Sequence, residues 1–442
     1  MRVAGVCSLF ILLVTPAVRG QNDSARSYPF GDSSFANLHF QLTTISQYHA
    51  DFHELYHGRN SIQATAESAT SVTSTLFAGV HLWSGAALYV NPELSGGSGL
   101  SGVTGIAGFV NGETPRIGDP APAISVARVY FQQTIDLPGA EVEHLSDLQN
   151  QLAQDVARSR LTITAGKYAL SDLFDNNAYS HDPRSQFENW ALMENGAWDY
   201  PANTHGYTYA FTIGLRVEEW SVQASTAAEP REANGATLEY RSGAHGETLE
   251  VERDYSLDGL NGAFRLLFFD NTADMGSYAL ATQQSSSSPD VAGTREYGRV
   301  KYGIGLNLQQ ELSPNVGSFM RLGWSDGKNE TWAFTEIDRT ISLGLSLSGN
   351  LWNRGHDMAG VAGVINGLSQ DHKVYLEAGG YGFIIGDGAL TYSPEVIAET
   401  EYKLALTEFV SLTADYQFVL NPAYNRDRGP IHVLGLRAHI EI

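Results

Sequence analysis

Hydrophobic and polar positions alternate along most of the chain in short runs. In the last run Leu434, Leu436, Ala438, Ile440 and Ile442 share one side, and Gly435, Arg437, His439 and Glu441 the other. Successive strand side chains point to opposite faces, so this run predicts a strand with an oily and a charged face. Fifteen further runs precede it, at 37–49, 71–83, 87–93, 123–136, 161–168, 207–216, 220–226, 247–256, 262–271, 298–310, 316–325, 337–349, 372–385, 397–407 and 409–420. Most are near the roughly nine to eleven residues that cross a bilayer when tilted. Tyr207, Tyr209, Phe211, Ile213 and Leu215 predict one apolar face, and Ile341 to Ser348 is the cleanest alternation. Only Val142 to Ala157 has helical spacing, through Leu145, Leu148, Leu152 and Val156, and predicts a short helix.

The connections differ in length. Ser84-Gly85, Glu218-Glu219, Ser313-Pro314-Asn315 and Thr407-Glu408 are short, whereas 95–122, 171–205, 227–246, 272–297, 350–371 and 421–430 are long. Short turns at one end and long loops at the other predict an all-β fold, a closed antiparallel transmembrane β-barrel of about 16 strands. The terminal strand is expected to close its seam against the first. A soluble sandwich would prefer aliphatic residues on its inner face, and no fixed-period repeat marks a propeller or solenoid. Here the inner rows are polar and small, as in Lys301, Gly303, Gly305, Asn307 and Gln309. Such rows leave a barrel of this size an aqueous conduit.

Composition sharpens this picture. Of 442 residues, 27 are basic and 49 acidic, a net of −22, which argues against a nucleic-acid partner. Arg2, the apolar run Val3–Val14 and Val18-Arg19-Gly20 predict a signal peptide over residues 1–20, with residues 21–442 a single barrel domain. Losing Arg2 and Arg19 from the 27 basic residues leaves 25 against 49 acids, a net of −24. The lone Cys7 lies inside that leader, so neither disulfides nor thiolate metal sites are expected. No cofactor is implied. Many carboxylates are present, Glu188, Glu194, Asp199, Glu247 and Glu250 among them, but no GxSxG or HExxH motif accompanies them. A secreted carbohydrate-active enzyme is therefore the distant alternative.

Four blocks resemble the carbohydrate-selective outer-membrane porins, the OprB-like family. They are Leu88–Glu93 with Gly99–Ser101 and Gly105–Phe109; Gly166–Tyr168 through Asp172–Tyr179; His181–Arg184 with Phe187, Asn189–Leu192 and Gly196-Ala197; and Asn421-Pro422 through Arg428–Pro430 with Gly435–Arg437. The resemblance implies a sixteen-stranded barrel for passive uptake of sugars in a Gram-negative outer membrane. Its partners would be sugars, outer-membrane lipid, the barrel-insertion machinery and, in some porins, further copies of the chain. The terminal Ile442 departs from the usual aromatic, which bears on recognition by that machinery. A manganese-uptake branch is also similar, leaving a divalent-cation porin as the alternative.

Several residues are candidates for the pore. The loop 171–205 carries Asp172, Phe174, Asp175, Asn176, Asn177, Tyr179, His181, Asp182, Arg184, Trp190, Trp198 and Tyr200, hydroxyl partners mixed with flat rings that suit a sugar. It is expected to fold inward and make the constriction. Asp182-Pro183-Arg184 reads equally as a turn clamp. Arg128, Lys167 and Glu93 are expected as lumenal wall charges, since a lipid-facing Arg128 would cost roughly 2–4 kcal/mol. Arg426 and Arg428 either line the mouth or pair with acids to hold the last loop. His49, His53 and His57 have four-residue spacing that suits a divalent metal, but Gly58, Arg59 and Asn60 favour a polar loop, and no metal ligand is assigned.

Overall fold

The structure, a computed structural model, describes residues 35–114, 121–241 and 243–442. The expected leader and part of the Gly-rich stretch lie outside them. Among the described residues sixteen antiparallel strands close into a barrel. They are β1 (Ala36–His49), β2 (Glu67–Trp83), β3 (Ala86–Gly97), β4 (Ala123–Asp136), β7 (Arg160–Tyr168), β8 (Thr208–Val217), β9 (Trp220–Ala228), β10 (His245–Leu257), β11 (Leu260–Met275), β12 (Glu296–Ser313), β13 (Val316–Ser325), β14 (Arg339–Ser348), β15 (Met358–Gly367), β16 (Glu395–Ala405), β17 (Val410–Leu420) and β18 (Ile431–Glu441). A separate hairpin, β5 (Val142–Leu145) and β6 (Gln154–Ala157), interrupts the β4–β7 connection. β18 pairs with β1 from Glu441 opposite Gln41 to Val433 opposite His49, so the terminal strand closes the seam.

Alternation sets the faces. Leu434 and Leu436 are more than half exposed on β18, while Arg437, paired with Thr413 of β17, is fully buried in the bore. Exposed Trp83 and Trp220 lie at the short-turn end, and exposed Tyr48, Tyr209, Tyr302 and Trp324 near the long-loop end. Two aromatic girdles flanking an apolar band match a bilayer-spanning barrel. Tight turns follow local chemistry. Asp258 and Gly259 both take positive φ, at 53° and 82°, the form of a two-residue hairpin whose twist matches its strands.

Three expectations fail locally. Residues 142–157 form the β5–β6 hairpin rather than a helix, because the leucine spacing serves inward and outward sides of a strand–turn–strand. Residues 372–385 are not a strand: Gln370–Glu377 is a helix, capped by Ser369, inside a loop. The sixteenth strand is β15, whose small residues from Met358 to Gly367 give little contrast between faces. The count was therefore right with one wrong member.

The long loops are L1 (50–66), L2 (98–122), L3 (169–207), L4 (229–244), L5 (276–295), L6 (326–338), L7 (368–394) and L8 (421–430). The described parts of L2, L3, L6 and L7 bring apolar groups into a shared core with the inner wall. Phe109 of L2, Trp190 and Tyr200 of L3, and Phe334 of L6 cluster, stacked or tilted, with ring centroids 4.6–6.4 Å apart. The bore is thus not simply wet, as its polar rows suggest; loops fill much of it as a plug.

Candidate functional site

L3 carries its own folding instructions. After β7, Asp172 accepts from the Ala169 amide at 3.1 Å, and Asn189 caps the short helix Trp190–Met193 through the Ala191 amide. The Asp182 carboxylate accepts from the Arg184 amide at 3.0 Å and the Ser185 hydroxyl at 2.7 Å, which makes the tight Asp-Pro-Arg turn. The far wall then holds the loop. Glu399 on β16 accepts from the Glu188 and Asn189 amides at 2.6 and 3.0 Å. Arg321 on β13 ion-pairs with Asp175 at 2.9 Å and donates to the carbonyls of Ser180 and Leu192. Arg437 on β18 donates to the carbonyls of Pro183 and Gln186. L3 therefore crosses the bore.

Between this plug and the wall of β1–β4 and β7 lies a cavity of about 560 Å³. Arg184 reaches into it from L3. Its Nε donates to Glu113 of L2 at 2.8 Å, Nη2 to Glu93 of β3 at 3.2 Å, and Nη1 to Gln41 of β1 at 2.6 Å. Burial disfavours the Arg184 charge, but Glu113 and Glu93 more than offset that and raise its pKa. Burial likewise opposes ionisation of Asp182, and Arg184 with Ser185 outweighs it, holding the carboxyl below its ordinary value. Arg128 makes a two-pronged contact to Asp172, at 2.6 and 2.7 Å. Its guanidinium lies 5.2 Å from the Tyr207 ring, whose hydroxyl donates to Glu93 at 3.1 Å. Along the same wall, toward the short-turn end from Glu93 and Arg128, Tyr89 and Tyr130 stack at 5.0 Å, with Tyr168 edge-on to Tyr130. The cavity thus joins paired charges to aromatic faces, the combination that engages hydroxyl and C–H surfaces of one solute.

The sequence candidates separate on this map. Glu93, Arg128, Asp182, Arg184 and Trp190 line the cavity. Arg128 faces inward with Tyr130, but Val126 does not share its side: a bulge opposite Asn91 and Pro92 breaks the parity. Lys167 is not a lumenal wall charge. It sits opposite Val129 and Tyr209 on the outward row of β7, and its ammonium donates to the Val126 carbonyl. Asp175 is buried in its pair with Arg321 and in hydrogen bonds from Asn307 and the Asn195 amide, away from the cavity. Arg428 is a clamp: it ion-pairs with Glu54 of L1 and Asp387 of L7, both at 2.8 Å. Arg426 is exposed on L8. His49 lies beside Glu67 at 3.5 Å and His57 beside Glu54 at 3.4 Å, at separate places.

Among the cavity residues not singled out from sequence, three contact the charged ring. Gln41 was only one polar position on β1. Glu113 is the lone charged residue between Ser95 and Thr114, and an acid isolated in an apolar, Gly-rich stretch signals a buried partner. Tyr207 looked like the start of an outward apolar face. It precedes β8, so strand parity does not bind it, and it is 7% exposed against 47% for Tyr209.

Comparison with known proteins agrees with this architecture. The family model described as carbohydrate-selective porin, OprB family, matches residues 34–442. Porin AaxA of Chlamydia pneumoniae is 23% identical over 350 residues, which cover 75% of this chain and 69% of that protein. The high pH structure of Pseudomonas putida OprB has a TM-score of 0.69 at 15% identity, covering 92% of this chain and 94% of that one. The low pH structure of the same protein gives 0.51 at 11% identity, covering 92% and 93%. A barrel with lipid-type girdles, a plugged bore and a polar cavity, matched over almost its whole length by one family model, belongs to the OprB family of carbohydrate-selective porins: a channel of the Gram-negative outer membrane, not an enzyme.

Proposed function

We propose that sugars pass along the cavity between L3 and the β1–β4/β7 wall, and that Arg184, Glu93, Glu113, Arg128 and Asp172 form its constriction. The observation that carries this is Arg184, which faces the cavity and is held at one place by three groups from L2, β1 and β3. Held there, it narrows the path without closing it. Guanidinium donors and carboxylate acceptors within one ring serve both roles of a sugar hydroxyl. Opposite charges also neutralise one another, so no ion gains a deep well. Tyr89, Tyr130 and Tyr168 supply the flat side. Sugar passage is then passive, driven by its gradient alone. The outward apolar rows, bounded by their aromatic girdles, support contact with outer-membrane lipid.

Arg184→Ala in a planar bilayer tests this. Conductance is expected to rise, glucose block to weaken by roughly tenfold, and the unpaired Glu93 and Glu113 to shift the reversal potential toward cations. Wild-type conductance, block and selectivity would reduce Arg184 to a loop clamp.

A further inference from the structure

The connection 137–159 is unlike its neighbours at the short-turn end, where the longest other turn is 349–357. It holds the β5–β6 hairpin, and its tip turns back into the bore. Asp147 accepts from Asn37 Nδ2 at 2.6 Å and lies 3.0 Å from His39 Nε2, both residues on the inner row of β1. Asn37 also donates to the Gln151 carbonyl at 2.9 Å. Asn150 Oδ1 accepts from Asn91 Nδ2 at 2.9 Å, and the Leu152 amide donates to the Tyr89 hydroxyl at 3.3 Å. Leu152 is fully buried. A turn that merely protruded would leave these groups in water.

Apart from Leu145, the groups this turn presents to the cavity share one chemistry. Gln149, Asn150, Gln151 and Gln154 line it together with Gln132 and Thr134 of β4. Each is neutral, and each both donates and accepts hydrogen bonds. The level is fixed by β3: Asn91, which holds Asn150, lies two residues from Glu93, hence about 7 Å along the strand from the charged ring. The tip comes in on the short-turn side of that ring, where β4 runs from Arg128 down to Thr134.

We propose that the inward-folded turn 137–159 is a second, uncharged selectivity element, an amide-lined subsite that binds hydroxyl-bearing solutes on the periplasmic side of the charged constriction. A sugar leaving the paired charges exchanges their hydrogen bonds for amide ones before it is fully rehydrated. The charged lining residue at this end, Arg160, is already paired with Glu143 of the turn, so an inorganic ion finds no free counter-charge there. Conduction benefits because two weak sites in series let a solute enter and leave. The inference rests on the cavity being the permeation path.

Planar-bilayer recording on the full-length protein decides it. In one variant residues 138–158 are replaced by Asn-Gly, joining β4 to β7 directly. Its conductance is expected to rise roughly twofold or more. In a second, Gln149→Ala with Gln154→Ala, two lining amides that anchor no part of the turn are removed. There conductance stays near wild type while block by glucose and by maltose weakens roughly threefold or more. If the shortened chain does not fold, the double substitution carries the test. Unchanged conductance in a shortened variant that keeps its heat-modifiable gel mobility, or unchanged sugar block in the double variant, overturns the proposal. Where Arg184→Ala still alters conductance and block, only this subsite fails; where Arg184→Ala is silent too, the permeation path itself has been misplaced.

Discussion

The two sides of the bore lean on different partners for their carboxylates, although ion pairs such as Asp175–Arg321 and Asp199–Lys301 also occur behind the plug. Along the cavity, carboxylates face guanidinium groups: Glu93 and Glu113 meet Arg184, and Asp172 meets Arg128. Behind the plug, carboxylates meet backbone amides. Asp199 accepts from the amides of Trp332, Ala333, Phe334 and Thr335 at 2.7–3.3 Å. Glu336 accepts from Ile384 and Ile385, and Glu395 on β16 from Ala107, Gly108 and Ala423. With Glu399 under L3, a repeated device emerges: one buried carboxylate fastens two or more amides of an inward loop. A hydrogen bond contributes about 0.5–1.5 kcal/mol net, and about 1.5–3 kcal/mol where the acceptor is ionised. Part of the acidic excess in this chain is therefore internal fastening, not surface charge, whereas the cavity side sets carboxylates against guanidinium groups.

That contrast can be broken from the plug side first. Asp199→Ala frees four amides and leaves Lys301, 3.4 Å away and fully buried, without its counter-charge. A loss of about 3–5 kcal/mol is expected. It is read as a large drop in the temperature at which the barrel's gel mobility shifts. Wild-type thermal behaviour would mean that L6 is held without the Asp199 carboxylate.

A subtler test uses pH. Burial raises the Glu336 carboxyl, against the pull of His372 and the two amides, to about 7. A carboxyl raised above its ordinary value of 4.5 favours the folded state most when protonated. The L6–L7 contact is thus firmest below about pH 4.5 and weakens as pH rises through about 7. Hydrogen exchange at Ile384 and Ile385, corrected for intrinsic rates, should show this loosening in wild type and lose it in Glu336→Gln. The smallest effect is expected outside both regions. Arg426→Ala should move stability by less than about 0.5 kcal/mol and leave conductance alone. A change in single-channel current there would extend the charged path to the mouth.

The wall was legible in the sequence because, bulges such as that in β4 aside, lipid-facing residues follow a period of two. β14 and β18 show it plainly. β15 was lost because Gly360, Ala362 and Gly363 carry almost no polarity contrast, while the loop segment 372–385 mimics a strand with apolar residues that serve the plug. The cavity was half legible. Arg184, Asp182 and Trp190 stood out as unusual residues in a long loop. Lys167 was misread because charge alone argued for the lumen, when a long amine can satisfy itself on a nearby carbonyl. The partners of Arg184 come from three elements far apart in sequence, and no local pattern records their meeting.

The seam between β1 and β18 also dictates an order of events. Glu188 and the Glu399 that receives its amide are 211 positions apart, and Arg437 grips Pro183 from 254 positions away. Contacts so distant in the chain are slow to form, because the loop-closure entropy between them opposes them. An unsealed cylinder holds no fixed interior for L3 to settle into. Maturation of the sieve therefore waits on completion of the wall, and a chain inserted but not yet sealed would leak.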